Sequence, residues 1–340
     1  MTPVPAVSQP PAAPRFGMVV PAQGPFGDPT AVRDIVQAAE ALGYDGAWFG
    51  DRVAVPAYAS SLTPPNWFDA LTCCLVGIGA TTRLRFGTDV LVAPYRNPVM
   101  LARQLATADQ LSGGRITAGL GVGYLRGEFA AVGAPEYEHR GQVTDEVLEV
   151  LRLALDADPD QPQSFAGRWF TFDEVHLGPR PVQTPFPLWV GGNGVSAQRR
   201  AARLGTGWHP LFPTPEAYRR GRQRIIELRG SAEGFTFSYS CPETAVLHGR
   251  TTSEPATSHV YDPSLIPADF GYAPAPPAAP DGRPRFIGTA DEVVSDVATF
   301  VEAGVEHFVL RFWTTQPDMG VDDVLKRMED FDAEVAARYR

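Results

Sequence analysis

Four side chains that can do acid–base chemistry stand where a short apolar run gives way to a helix: Asp51, Asp89, Tyr124 and His209. A carboxylate there can accept hydrogen bonds from a ring N–H or a hydroxyl. A histidine or phenol there can hand over a proton. Asp51 and His209 each have a plainer reading beside the chemical one. Asp51 can be salt-bridged to Arg52 or another arginine, or cap a helix, and His209 can be a packed, hydrogen-bonded histidine. Gly191-Gly192-Asn193-Gly194, with Val195 after it, lies between an apolar run and a helix start. Backbone N–H groups and the helix dipole make such a turn an anion site without any lysine, and a simple strand-to-helix turn is the alternative. The run GLGVG at 119–123 is neither G-x-G-x-x-G nor a P-loop, and suits a tight strand exit that needs small residues. Trp48, Trp67, Trp208 and Trp313 can frame a flat ligand or fill a core. There is no G-x-S-x-G elbow, no Ser-His-Asp order, no hydrolase-like pair of carboxylates and no Cys/His cluster with zinc spacing, so no metal is expected.

The elements that must hold these residues alternate along the chain. Strands are predicted at 16–21, 47–49, 84–92, 115–120, 188–190, 207–209, 236–247 and 305–310. Helices are predicted at 67–79, 140–155, 195–204 and 214–229. Others start at Asp28-Pro29, at Asn97-Pro98, at the Thr289/Glu292 capping box and near Val321. Gly43, the Gly113-Gly114 pair and Gly304 close three of them. Eight strand–helix units in one series predict an α/β fold, a closed (β/α)8 TIM barrel, rather than an open doubly wound sheet. Active sites of this fold sit at the C-terminal strand ends, where the residues above fall. Residues 1–14 read as a disordered Pro/Ala tail, and 15–340 as one domain. Two stretches break the rhythm. The segment 156–187 is expected to wrap the barrel mouth. The Pro/Ala-rich segment 250–285 reads as an insertion after the seventh strand that covers it.

A net charge of −10 argues against nucleic acid and an anionic membrane as partners. Lys326 is the only lysine. The three cysteines, Cys73, Cys74 and Cys241, have no disulfide framework, which points to reduced thiols and a cytoplasmic setting. No stretch approaches the ~18 apolar residues of a membrane span.

Several motifs in order resemble the luciferase-like monooxygenase superfamily: TRLRFGTDVLVAPYRNP at 82–98, LATADQLSGGR at 105–115 leading into GLGVG, PLWVGG at 187–192, and AARLGTGW at 201–208. Within it the chain looks like the probable F420-dependent oxidoreductases. The resemblance implies a barrel of the bacterial-luciferase-like type with insertions at its mouth. The cofactor ring would lie against strands two to four. Asp51 would contact it, and a non-prolyl cis peptide at Asp89-Val90, flanked by Thr88 and Val92, would back it. Gly121, Val122 and Gly123 would form a second contact. Gly191, Gly192, Asn193, Gly194 and Val195 would hold the phosphate. There are departures: Arg52 stands where relatives carry a histidine, and Tyr124 where they can carry a glutamate. These are acid/base positions of the sugar-phosphate dehydrogenase branch, so that substrate class is not expected. The catalytic candidates are Tyr124, His209 and Arg52.

The implied activity is hydride transfer between reduced F420 C5 and an activated C=C, C=N or C=O bond of a small organic molecule. The alternative is an FMN monooxygenase using O2. F420 has an acidic tail, for which Arg96, Arg126 and Arg311 are the candidate partners. A homodimer is a further expectation, as is the less chemical reading of a non-catalytic flavin-binding barrel.

Overall fold

The computed structural model describes residues 13–60, 63–249, 277–314 and 318–340. The predicted insertion core, 250–276, and the tail over 1–12 lie outside the described residues.

The strands are β1 (Arg15–Val19), β2 (Gly46–Phe49), β3 (Arg85–Thr88), β4 (Leu91–Val92), β5 (Ile116–Gly121), β6 (Gln163–Ala166), β7 (Thr171–Val175), β8 (Leu188–Gly191), β9 (Gly207–His209), β10 (Thr236–Glu243), β11 (Ala245–Val246), β12 (Ile287–Gly288) and β13 (His307–Arg311). The α-helices are α1 (Pro29–Leu42), α2 (Ala70–Ala80), α3 (Pro98–Ser112), α4 (Arg126–Ala131), α5 (Arg140–Asp156), α6 (Val195–Leu204), α7 (Pro215–Arg229), α8 (Ala290–Glu302) and α9 (Val321–Glu334). Parallel pairings run β3-β2-β1-β13-β10-β9-β8-β5, and β5 returns to β3, so eight staves close a barrel.

Local rules set the helix ends. Asp28 accepts from the Thr30 N–H with Pro29 behind it, and Gly43 closes α1 at φ +81°. Val32, Ile35, Val36 and Ala39 face the barrel between those ends. Asn97 caps α3, and Thr289 with Glu292 forms the predicted capping box on α8.

The barrel's inside is a stack of two layers. Two tryptophans fill the lower one, and glycines make room for them. A Cβ on Gly17, Gly46 or Gly87 would lie 2.2, 2.6 or 2.3 Å from the Trp48 ring, and one on Gly207 would lie 2.4 Å from Trp189. The two indoles stack at 5.8 Å, with the His307 ring edge-on to both. Burial, with Arg15 nearby, pushes His307 well below the usual histidine range, so it sits in the core as a neutral ring. The upper layer is polar and floors the mouth.

Three predicted elements differ. The strand over 84–92 is two strands, β3 and β4, broken at a cis Asp89-Val90 peptide. That over 236–247 divides into β10 and β11. The segment 156–187 does not wrap the mouth. It joins the end of α5 to the start of β8, which lies at the opposite, N-terminal end of the strands. There Gln183 binds Asp109, the Ile116 carbonyl and Arg85. Its β6–β7 hairpin lies against α5, held through the Glu146 carboxylate by the N–H groups of Arg168 and Trp169. The aromatic residues that suggested a mouth cover are used on this flank.

Two glycines of α2 should respond oppositely to alanine. Gly77 faces the buried Phe86 ring, which a Cβ would approach to 2.2 Å, whereas Gly79 is exposed and a Cβ there meets nothing. Gly77→Ala should destabilise by about 1–3 kcal/mol through overpacking. Gly79→Ala should stabilise by about 0.5–1 kcal/mol. Urea denaturation of both variants checks this. Equal shifts would mean that α2 does not pack on β3 as described.

Candidate active site

Asp89 directly follows β3 and is the hub of the mouth's floor. Its Oδ1 accepts from His209 Nε2 at 2.9 Å, and its Oδ2 from Arg311 Nη2 at 3.1 Å and the Ser240 hydroxyl at 3.3 Å. His209 Nδ1 meets the Ser238 hydroxyl at 2.7 Å. Both nitrogens of His209 are thus engaged, and its side chain is wholly buried. Strands β3, β9, β10 and β13 meet through these side chains above the tryptophan layer.

Val90 follows the cis peptide and drops into a hollow that glycines create. A Cβ on Gly119, Gly121 or Gly191 would come within 3.1, 2.7 or 3.3 Å of its methyl groups. Gly119 and Gly121 of the GLGVG run thus make room for a valine. Thr88 fastens the same place, donating to the Gly119 carbonyl and accepting its N–H. Gly123, at φ +74°, turns the chain away beside Val92, and Val122 and Tyr124 are half-buried there.

Asp51 is held by its own chain. Arg96 grips it with both terminal nitrogens, at 2.6 and 2.8 Å, and the Val92 N–H donates at 2.8 Å. Of the readings open in the sequence, the salt bridge to another arginine is the one formed. Arg52 donates to Glu128 at 2.9 Å and to the Tyr124 hydroxyl. The two departures from the resembled pattern, Arg52 and Tyr124, therefore meet each other. Glu128 is buried and also receives the N–H groups of Val53 and Ala54 and the Tyr95 hydroxyl. Burial beside that carboxylate raises Tyr95 well above the usual tyrosine range.

The turn after β8 opens into α6. Gly192 is at φ +109°, Gly194 is the N-cap, and no side chain caps the helix. A Cβ on Gly194 would meet nothing within 4 Å. The Asn193 side chain is turned away, exchanging two hydrogen bonds with the Leu211 backbone. Val195, the first residue of α6, is exposed. An open, uncapped, glycine-lined helix start fits a phosphate.

Cys73, Cys74 and Cys241 are buried, and burial pushes the Cys73 thiol up to about 12, so none is a poised nucleophile. The three arginines considered for an acidic tail all hold carboxylates: Arg96 on Asp51, Arg126 on Glu138, and Arg311 on Asp89. Sequence reasoning missed Glu128, Ser238 and Ser240. The serines carried a signal, being polar at period two in an otherwise apolar strand. Glu128 carried none, because α4 is too short to show a periodicity.

The luciferase-like monooxygenase family profile matches residues 13–260, and the chain belongs to that family. An FMNH(2)-dependent dimethylsulfone monooxygenase from Pseudomonas putida is 28% identical over 66% of this chain. The match spans 59% of that protein's length. An F420-dependent glucose-6-phosphate dehydrogenase from Amycolatopsis mediterranei is 29% identical over 52% of each chain. Among solved structures, an F420-dependent secondary alcohol dehydrogenase superposes with a TM-score of 0.75 at 20% identity, covering 95% of this chain and 98% of its own. A long-chain alkane monooxygenase gives 0.70 at 16%, covering 98% and 91%. The chain thus has the family's barrel, with both F420-dependent and FMN-dependent enzymes among its relatives. No helix among the described residues is long and apolar enough to cross a membrane.

Removing Arg96 would strand the buried Asp51 carboxylate. Arg96→Met should cost about 3–5 kcal/mol of stability, and adding Asp51→Asn should recover part of it. Denaturant titration of the single and double variants checks this. A single variant within 1 kcal/mol of wild type would contradict the pairing.

Proposed function

We propose that this chain is an F420-dependent oxidoreductase acting on a small organic molecule. The open glycine turn into the uncapped α6, beside the glycine-seated Val90, supports a phosphate-bearing flavin or deazaflavin, and the choice of F420 follows the motif resemblance. Reduced F420, when bound, supplies a hydride to an activated C=C, C=N or C=O bond. The chain's part is to bind, orient and protonate. Gly191, Gly192 and Gly194 with the N–H groups of α6 take the phosphate. Val90 offers an apolar surface to the ring, held in place by Asp89 and Thr88. The mouth keeps water from the acceptor. Tyr124 is the proposed proton donor at its hydroxyl. Arg52 donates to the Tyr124 oxygen, which leaves the phenol's role as a donor intact. His209, with both nitrogens engaged, serves by holding Asp89.

A second reading, FMN chemistry with O2, is favoured by one observation. Each arginine considered for the acidic tail of F420 already carries a carboxylate. FMN ends at its phosphate and needs none of them.

Gly194→Asp tests the shared site. An aspartate at this N-cap position, with φ −72° and open space around it, should cap α6 and leave stability equal or slightly higher. Its charge would occupy the phosphate position, so cofactor affinity should fall at least roughly 100-fold, since it sets anion against anion at one helix start. Fluorescence titration of wild type and variant with F420 and with FMN measures both effects. Unchanged affinity in a stable variant would remove the phosphate from α6. Tight FMN binding with weak F420 binding would move the enzyme to the second reading.

A further inference from the structure

The floor of the mouth holds a cation that its neighbours do not saturate. Arg311 ends β13 and is 4% exposed. A guanidinium carries five N–H donors in a fixed fork. Its Nη2 serves Asp89, while Nη1 and Nε are buried and have no hydrogen-bond partner among the described residues. The groups over its faces are aromatic rings, Phe212 at 5.4 Å and Trp313 at 5.3 Å from the guanidinium carbon. Rings stabilise a cation but do not replace a hydrogen-bond acceptor. Asp89 does not reach Nη1 in this structure: its oxygens take His209, Ser240 and Arg311 Nη2.

Arg152, Arg229 and Arg285 each leave one buried nitrogen without a hydrogen-bond partner among the described residues, whereas Arg311 leaves two; Arg115 leaves none. Its Nε, Nη1 and Nη2 donate to the Ser112, Leu84 and Ile78 carbonyls and to the Thr81 hydroxyl. Buried donors left unmade are costly, more so on a charged group. An arginine kept in this state at the mouth, where this fold binds its ligands, is explained by an acceptor that arrives with the ligand.

We propose that Arg311 Nη1 is a substrate-binding group that docks an oxygen acceptor, a carboxylate or carbonyl, and so orients the substrate above Asp89. This rests on the mouth being the active site, as proposed above. Nη1 is shielded in this structure, so docking requires the wall beside it to move. Phe212 forms part of that wall, lying over the guanidinium with its backbone in the left-handed region at φ +51°.

The test is calorimetric titration of the cofactor-loaded protein with benzoate and with benzyl alcohol, its neutral counterpart. Wild type should prefer benzoate at least roughly tenfold, as expected for a charge-assisted contact. Arg311→Lys should keep part of that preference. Arg311→Met should lose it. Because Arg311→Met strands Asp89, the double variant Arg311→Met/Asp89→Asn is measured beside it and should behave the same way. No preference in wild type, or a preference that survives in both methionine variants, would overturn the proposal. If neither cofactor binds, the functional reading above fails. An Arg311-dependent benzoate preference in the unloaded protein would still uphold the subsite.

Discussion

The carboxylate of Asp89 ties the mouth of the barrel together. It is buried at the end of β3 and draws in His209, Ser240 and Arg311 from three strands across the opening. A buried charge is tolerated only when paired and hydrogen-bonded, so this one fixes where four strands stand at their functional ends. The next residue depends on it. Val90 is directed into a hollow that exists because Gly119, Gly121 and Gly191 have no side chains. Under this polar layer the stacked Trp48 and Trp189 occupy space left by four more glycines. The interior therefore passes from apolar base to polar floor within a few residues along each strand, which makes the mouth a shaped, charged surface on a rigid support.

Around that floor the loops are pinned by two further buried carboxylates. Asp51 holds Arg96 and the start of β4, and Glu128 holds Arg52 and the loop after β2. Arg52 and Tyr124 stand at the two positions where the resemblance to the sugar-phosphate dehydrogenase branch leads one to expect a histidine and a glutamate. The family's relatives divide between hydride transfer and oxygen chemistry. The features that our proposal assigns to either cofactor are the open glycine turn into α6 and the glycine-seated Val90.

Much of this was legible in the sequence, for physical reasons. The helix starts at Asp28-Pro29, Asn97-Pro98 and Thr289 announced themselves because capping is local chemistry. The helix over 195–204 and the strand over 207–209 fell where predicted because short connections leave little freedom. The break at Asp89-Val90 is invisible to periodicity, since an apolar run reads the same with or without it, and only the resemblance pointed to it. The segment 156–187 was misplaced because its aromatic residues show that something is covered but not which end of the barrel they cover. The partners of Asp51, Asp89 and Glu128 lie 33 to 222 residues away along the chain, and no local pattern encodes such pairings.

The central claim is that this mouth seats a flat cofactor between Val90 and the start of α6. A crystal structure of the protein soaked with F420, and a second with FMN, tests it most directly. The account predicts one of the two bound with its phosphate within hydrogen-bond reach of backbone N–H groups of residues 192–196 and its ring against Val90. A cofactor bound elsewhere, or at the mouth with its phosphate away from α6, would contradict it.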